Sequence, residues 1–79
     1  MELNKIDKKA LKVALEKGCT HLGIKNGELE FIPYPKIEHK GFGVYPWNTY
    51  TGELEDIVKA TLKLKGIKKI SIEELLNEN

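Results

Sequence analysis

Seventy-nine residues, 41% hydrophobic and 32% charged, make one small α+β-sized domain, numbered 1–79, with a thin core and no room for a second unit. The formal net charge of +1 gives no electrostatic drive toward nucleic acid or an anionic membrane, and no run approaches the ~20 apolar residues of a membrane span. All thirteen basic residues are lysine, so the rigid guanidinium fork that reads guanine or grips phosphate is missing.

The start, MELNKIDKKALK, is charged and lacks the apolar stretch of a signal peptide. One cysteine, Cys19, excludes an intrachain disulfide and fits a reducing compartment, so a cytoplasmic location is expected.

Residues 4–17 read as a helix. Leu3, Ile6, Ala10, Val13 and Ala14 recur at helical spacing, Leu11 and Leu15 widen the stripe, and Lys5, Lys8, Lys9 and Lys12 occupy the opposite face. Asn4 is placed to cap its start and Gly18 to stop it.

THLGIKNGELEFI follows as a β-hairpin. Asn26-Gly27 is the preferred pair for a two-residue type I′ turn, in which both residues take positive φ. That turn sets the register: Lys25 opposite Glu28, Ile24 opposite Leu29, Leu22 opposite Phe31. Leu22, Ile24, Leu29 and Phe31 then share an apolar face, and His21, Gly23, Lys25, Glu28, Glu30 and Ile32 the other.

Pro33 and Pro35 interrupt the pattern. A third strand is expected around Phe42 and Val44, weakened or bulged by Gly41 and Gly43. The segment 32–51 holds five of the six aromatics and all three prolines. Phe42 and Trp47 suit the core, because the helices supply only aliphatic residues; Tyr34, Tyr45 and Tyr50, beside Pro, Asn and Thr, suit the surface.

A second helix starts after Thr51. Leu54, Ile57, Val58, Thr61 and Leu62 form its stripe, acids fill its first turn and Lys63 and Lys65 its last, and Gly66 ends it with Ile67 folding back on Leu62. In the tail, Ile70 and Ile72 alternate as in a strand while Ser71 and Glu74 form a capping box, so a short extended piece leads into one or two helical turns. LEKGCTHLGI and LKLKGIKKISI echo each other, as shared helix-stop chemistry rather than a repeat. The expected architecture is α+β: helix, hairpin, third strand, helix and tail, with one face of an antiparallel sheet on two helices.

This helix–strand–strand–strand–helix succession resembles, in topology, the double-stranded-RNA-binding fold and the small HicA-type toxins. The tail ATLKLKGIKKISIEELL resembles the end of such toxins. Those toxins carry a histidine in the second strand, where this chain reads Glu28-Leu29-Glu30-Phe31-Ile32. RNA-binding domains place lysines at the start of the last helix, where this chain has Glu53, Glu55 and Asp56. The resemblance implies a topology and no activity.

No catalytic set emerges. Cys19-Thr20-His21, even joined by Glu38 and His39, lacks the second ligand pair of a zinc site, and Cys19 follows a helix C-terminus, where the dipole disfavours a thiolate. Ser71, the lone serine, is a helix cap. No metal and no cofactor is expected. An enzyme would require Glu38, His39 and Tyr45 to converge in a pocket.

The expected function is a non-enzymatic regulatory module that binds another protein through Tyr34, Phe42, Tyr45, Trp47 and Tyr50, residue types that dominate interface hot spots. Phages and mobile elements encode many proteins of this kind. The alternative is salt-sensitive, non-specific nucleic-acid binding through Lys5, Lys8, Lys9 and Lys12 on the first helix, with Lys63, Lys65, Lys68 and Lys69. An open hairpin edge would permit homodimerisation by strand pairing.

Overall fold

The computed structural model describes residues 2–34 and 50–78. They form α1 (Lys5–Glu16), β1 (His21–Lys25), β2 (Glu28–Ile32), α2 (Gly52–Lys65), β3 (Lys69–Ser71) and α3 (Ile72–Asn77). The strands make one antiparallel sheet in the order β2-β1-β3. This is a small α+β domain, as expected from the sequence.

α1 starts as anticipated: the Asp7 amide donates to Asn4 Oδ1 at 2.8 Å, satisfying one of the orphan N–H groups of the first turn. Its buried face differs from the expected stripe. Asp7, Ala10, Leu11 and Ala14 point inward, while Ile6 is 55% exposed. Adjacent helical positions lie about 100° apart, so turning Asp7 inward carries Ile6 out. The cause is a partner for Asp7 on α2, described below.

The hairpin forms in the anticipated register, Lys25 opposite Glu28, Ile24 opposite Leu29 and Leu22 opposite Phe31. Asn26 and Gly27 take φ of 53° and 80°, the backbone that the turn demands. On the sheet's inner face, the row Phe31–Leu22–Ile70 spans all three strands and is buried throughout. Burying one such side chain contributes about 1.5–3 kcal/mol.

The expected strand around Phe42 and Val44 lies outside the described residues. A third strand comes from the tail, where Leu22 faces Ile70 and Gly23 faces Lys69. Gly23 is the close point of this pairing: a Cβ there would lie 3.2 Å from the Lys68 carbonyl oxygen and 3.4 Å from Ile32 Cδ1.

Both long helices stop by the same means. After α1, Cys19 N–H reaches Ala14 O at 3.0 Å and Gly18 takes a φ of 99°; after α2, Ile67 N–H reaches Leu62 O at 3.1 Å and Gly66 takes a φ of 66°. These 6→1 bonds mark Schellman stops. They account for the echo between LEKGCTHLGI and LKLKGIKKISI, each of which delivers its chain into a strand flanking the other.

The tail satisfies both of its cues. Ile70 is buried in β3, and Glu74 N–H then donates to Ser71 Oγ at 3.3 Å to begin α3. Ile72 N–H donates to Thr20 O at 2.9 Å, tying α3 to the chain entering β1. Lys65 bridges Glu74 at 2.9 Å and Glu78 at 2.7 Å, fastening α3 to the end of α2.

α2 packs on all three strands and α1 packs on α3. Leu54, Val58 and Leu62 of α2 meet Leu11 of α1, Leu75 of α3 and the inner sheet face in a single cluster. Among the described residues this core is aliphatic apart from Cys19 and Phe31. No described helix is long and apolar enough to cross a membrane.

Candidate binding groove

β2 carries Leu29 and Phe31 toward the core and Glu28 and Glu30 toward the other face, because side chains alternate along a strand. Just beyond it, after a cis Ile32–Pro33 bond, stands Tyr34, 67% exposed. Tyr50 comes from the other side, immediately ahead of α2. It packs on Phe31 with ring centroids 5.8 Å apart and planes tilted by 45°, a favourable aromatic geometry.

These residues, with Lys25 and Asn26 of the turn, line a groove of about 290 Å³. Leu29, Phe31, Tyr34 and Tyr50 give its lining apolar and aromatic surface, and Lys25, Asn26, Glu28 and Glu30 are its polar and charged residues. Burial pushes the Tyr50 phenol up from its ordinary pKa, with the carboxylates of Glu55 and Glu28 adding in the same direction. Among the described residues the groove lining contains no histidine, cysteine or serine.

Tyr50 owes its position to its neighbour. Thr51 N–H donates to Asp7 Oδ1 at 2.6 Å and Thr51 Oγ–H to Asp7 Oδ2 at 2.8 Å, so both carboxylate oxygens of a fully buried aspartate hold the head of α2. Asn4 Nδ2 donates to Thr51 Oγ1 at 3.1 Å and Glu53 Oε2 at 2.9 Å. Thr51 is the N-cap, as expected, but its hydroxyl binds Asp7 instead of an amide of its own helix.

Of the five aromatics proposed from sequence, Tyr34 and Tyr50 come together in this groove, whereas Phe42, Tyr45 and Trp47 lie outside the described residues. Phe31, Glu28 and Glu30 were not among the sequence candidates. Their signal was the hairpin register, which places Phe31 near the strand end from which Tyr34 emerges.

The lysines form no such convergence around a pocket. Lys5, Lys9 and Lys12 are exposed on α1 and Lys8 is half-buried; Lys63, Lys68 and Lys69 are exposed around the end of α2 and β3, and Lys65 is engaged by Glu74 and Glu78. Those two carboxylates hold the Lys65 ammonium above its ordinary pKa.

Cys19 is buried, its thiol donating to the Pro33 carbonyl at 3.2 Å, and burial raises its pKa. His21 shares a 2.8 Å hydrogen bond with Thr20 Oγ1. No group of three His, Cys, Asp or Glu side chains among the described residues is arranged to hold a metal ion. Glu38 and His39 lie outside those residues. A second groove, about 310 Å³, is lined by Glu2, Glu53, Asp56 and Ile57 at the head of α2.

Compared with protein-family models, curated proteins and solved structures, the chain matches none significantly.

Proposed function

We propose that this protein is a non-enzymatic binding module, a cytoplasmic regulator that engages another protein at the groove beside β2. The supporting observation is that Tyr34 and Tyr50, the two ends of the aromatic segment 34–50, line one groove, with Tyr50 packed on Phe31. Tyrosines presenting an apolar ring and a polar hydroxyl at a concave surface are the side chains that anchor protein interfaces. A reduced compartment suits the single buried thiol of Cys19.

The test is a paired pulldown with the wild-type protein and Tyr34→Ala, with nuclease and at low and high salt. The proposal expects a discrete protein band that survives nuclease and salt and disappears with Tyr34→Ala. Captured nucleic acid that washes off with salt would instead assign binding to the lysines of α1 and the end of α2.

A further inference from the structure

We propose that Asn26 is a self-modification site: under native conditions its side-chain amide is lost as ammonia through a cyclic imide with the Gly27 nitrogen, and the isoaspartate that results dismantles the β1–β2 turn.

The chemistry needs an asparagine, a thermally labile residue, followed by a backbone nitrogen that its side-chain carbonyl can reach. Asparagine stands at positions 4, 26, 48, 77 and 79, and Asn26 alone precedes glycine. Lys5, Thr49 and Glu78 follow Asn4, Asn48 and Asn77, and each carries a side chain that crowds the nitrogen. Asn26 and Gly27 are both exposed, and nothing lies within 4 Å of where a Cβ on Gly27 would stand. Among the described residues the Gly27 N–H makes no backbone hydrogen bond that would have to break first.

The Gly27 nitrogen gives up its proton and attacks Asn26 Cγ. The N–Cγ bond forms, the Cγ–Nδ2 bond breaks, and ammonia departs with a proton. Water then opens the imide ring at either carbonyl. Opening at the side-chain carbonyl gives aspartate; opening at the main-chain carbonyl gives isoaspartate, in which the chain runs through Cβ and Cγ. Nothing is oxidised or reduced, and water is the sole co-reactant.

Placement turns this chemistry into a structural event. Asn26 and Gly27, with φ of 53° and 80°, are the whole loop between Lys25 and Glu28. Isoaspartate adds a backbone carbon to that loop, and a two-residue turn has no slack to absorb it while Lys25 stays opposite Glu28. The hairpin also gates the reaction. Ring closure swings the 26–27 peptide toward the Asn26 side chain, a motion that the Lys25–Glu28 and Ile24–Leu29 pairs resist until the turn opens. Asn26 lines the groove beside β2, so either product brings a carboxylate into that lining.

The intact protein, kept warm in mildly alkaline buffer, is followed by mass spectrometry of its proteolytic peptides and by an isoaspartate-specific methyltransferase with a labelled methyl donor. The expected result is the mass gain of an NH2-to-OH exchange, confined at first to the peptide holding Asn26, with methyl label on the same peptide. Amide exchange at Ile24 and Leu29 should quicken in the modified fraction. Asn26→Gly leaves two residues that accept positive φ, so it should abolish both signals while the hairpin stays folded.

Label that persists in Asn26→Gly, or a mass gain that comes first at another asparagine, would overturn the assignment. So would an Asn26 that reacts only in urea, because the folded turn would then protect it. Modified protein with unchanged exchange at Ile24 and Leu29 would overturn the effect on the turn.

Discussion

Asp7 on α1 and Thr51 at the head of α2 stand 44 positions apart in sequence and are joined by two hydrogen bonds, of 2.6 and 2.8 Å, to the two oxygens of one buried carboxylate. Their pairing explains why α1 buries an acid and exposes Ile6. It also sets the backbone next to Tyr50, so the groove inherits its geometry from the contact between the two helices.

Asp7→Ala removes the acceptor for a backbone amide and a hydroxyl at once. Leaving buried donors unpaired costs about 1–3 kcal/mol each, and a charge-assisted bond lies at the upper end. We expect a loss of about 2–4 kcal/mol in denaturant unfolding, with Tm falling by roughly 4–8 °C per kcal/mol for a domain of this size. Asp7→Asn should recover part of the loss, because its amide oxygen still accepts. A Tm of Asp7→Ala within about 2 °C of wild type would show that the pairing contributes little.

Gly23→Val tests the close approach of β3. The neighbour at 3.2 Å is the Lys68 backbone carbonyl, which is tied into the chain entering β3 and moves less easily than a side-chain tip. Overpacking of this kind costs about 1–3 kcal/mol, more than the strand preference of valine over glycine returns. Faster amide exchange in β3 and at Ile72 than in the β1–β2 hairpin would place the damage. Uniform exchange across the sheet would sink that localisation.

How much of this was legible depends on how far each contact reaches along the chain. Asn26 and Gly27 set the hairpin register through their own backbone preferences, so the turn alone predicted three correct cross-strand pairs. Gly18 and Gly66 stop their helices for the same local reason. Asp7 was not legible, because an acid in a first helical turn ordinarily faces solvent and its partner is 44 positions away. The tail announced an extended piece and a cap, but only the folded chain reveals that Ile70 pairs beside Leu22. Of the groove lining, Tyr34 and Tyr50 stood among the sequence candidates, whereas Phe31, Glu28 and Glu30 read as ordinary hairpin residues until Tyr50 returned to them.

Gly27→Ala asks how strongly the turn governs the sheet. At a φ of 80° alanine is strained although the space around it is open. The expected cost is about 1–2 kcal/mol, from backbone strain alone. A denaturant midpoint equal to that of wild type would show that alanine takes this backbone without strain.

Alkaline pH should weaken the fold, and the sign follows from three groups. Burial raises the pKa of Cys19; burial, Glu55 and Glu28 raise that of Tyr50; hydrogen bonds to Glu78 and Glu74 raise that of Lys65. Each holds its proton more tightly in the folded chain than in the unfolded one. The folded state therefore carries more protons at high pH, and stability falls as pH rises. Their contributions are complete below the ordinary values of 9.0 for Cys19, 10.0 for Tyr50 and 10.5 for Lys65, and are lost as pH climbs through the raised folded values. Thermal unfolding between about pH 8 and pH 11 should show Tm declining across that window. Tyr50→Phe should make the decline shallower, and Lys65→Met should do the same near the top of the range while speeding amide exchange in α3. A Tm that holds level or climbs across the window would mean that these protons are bound no more tightly in the folded chain.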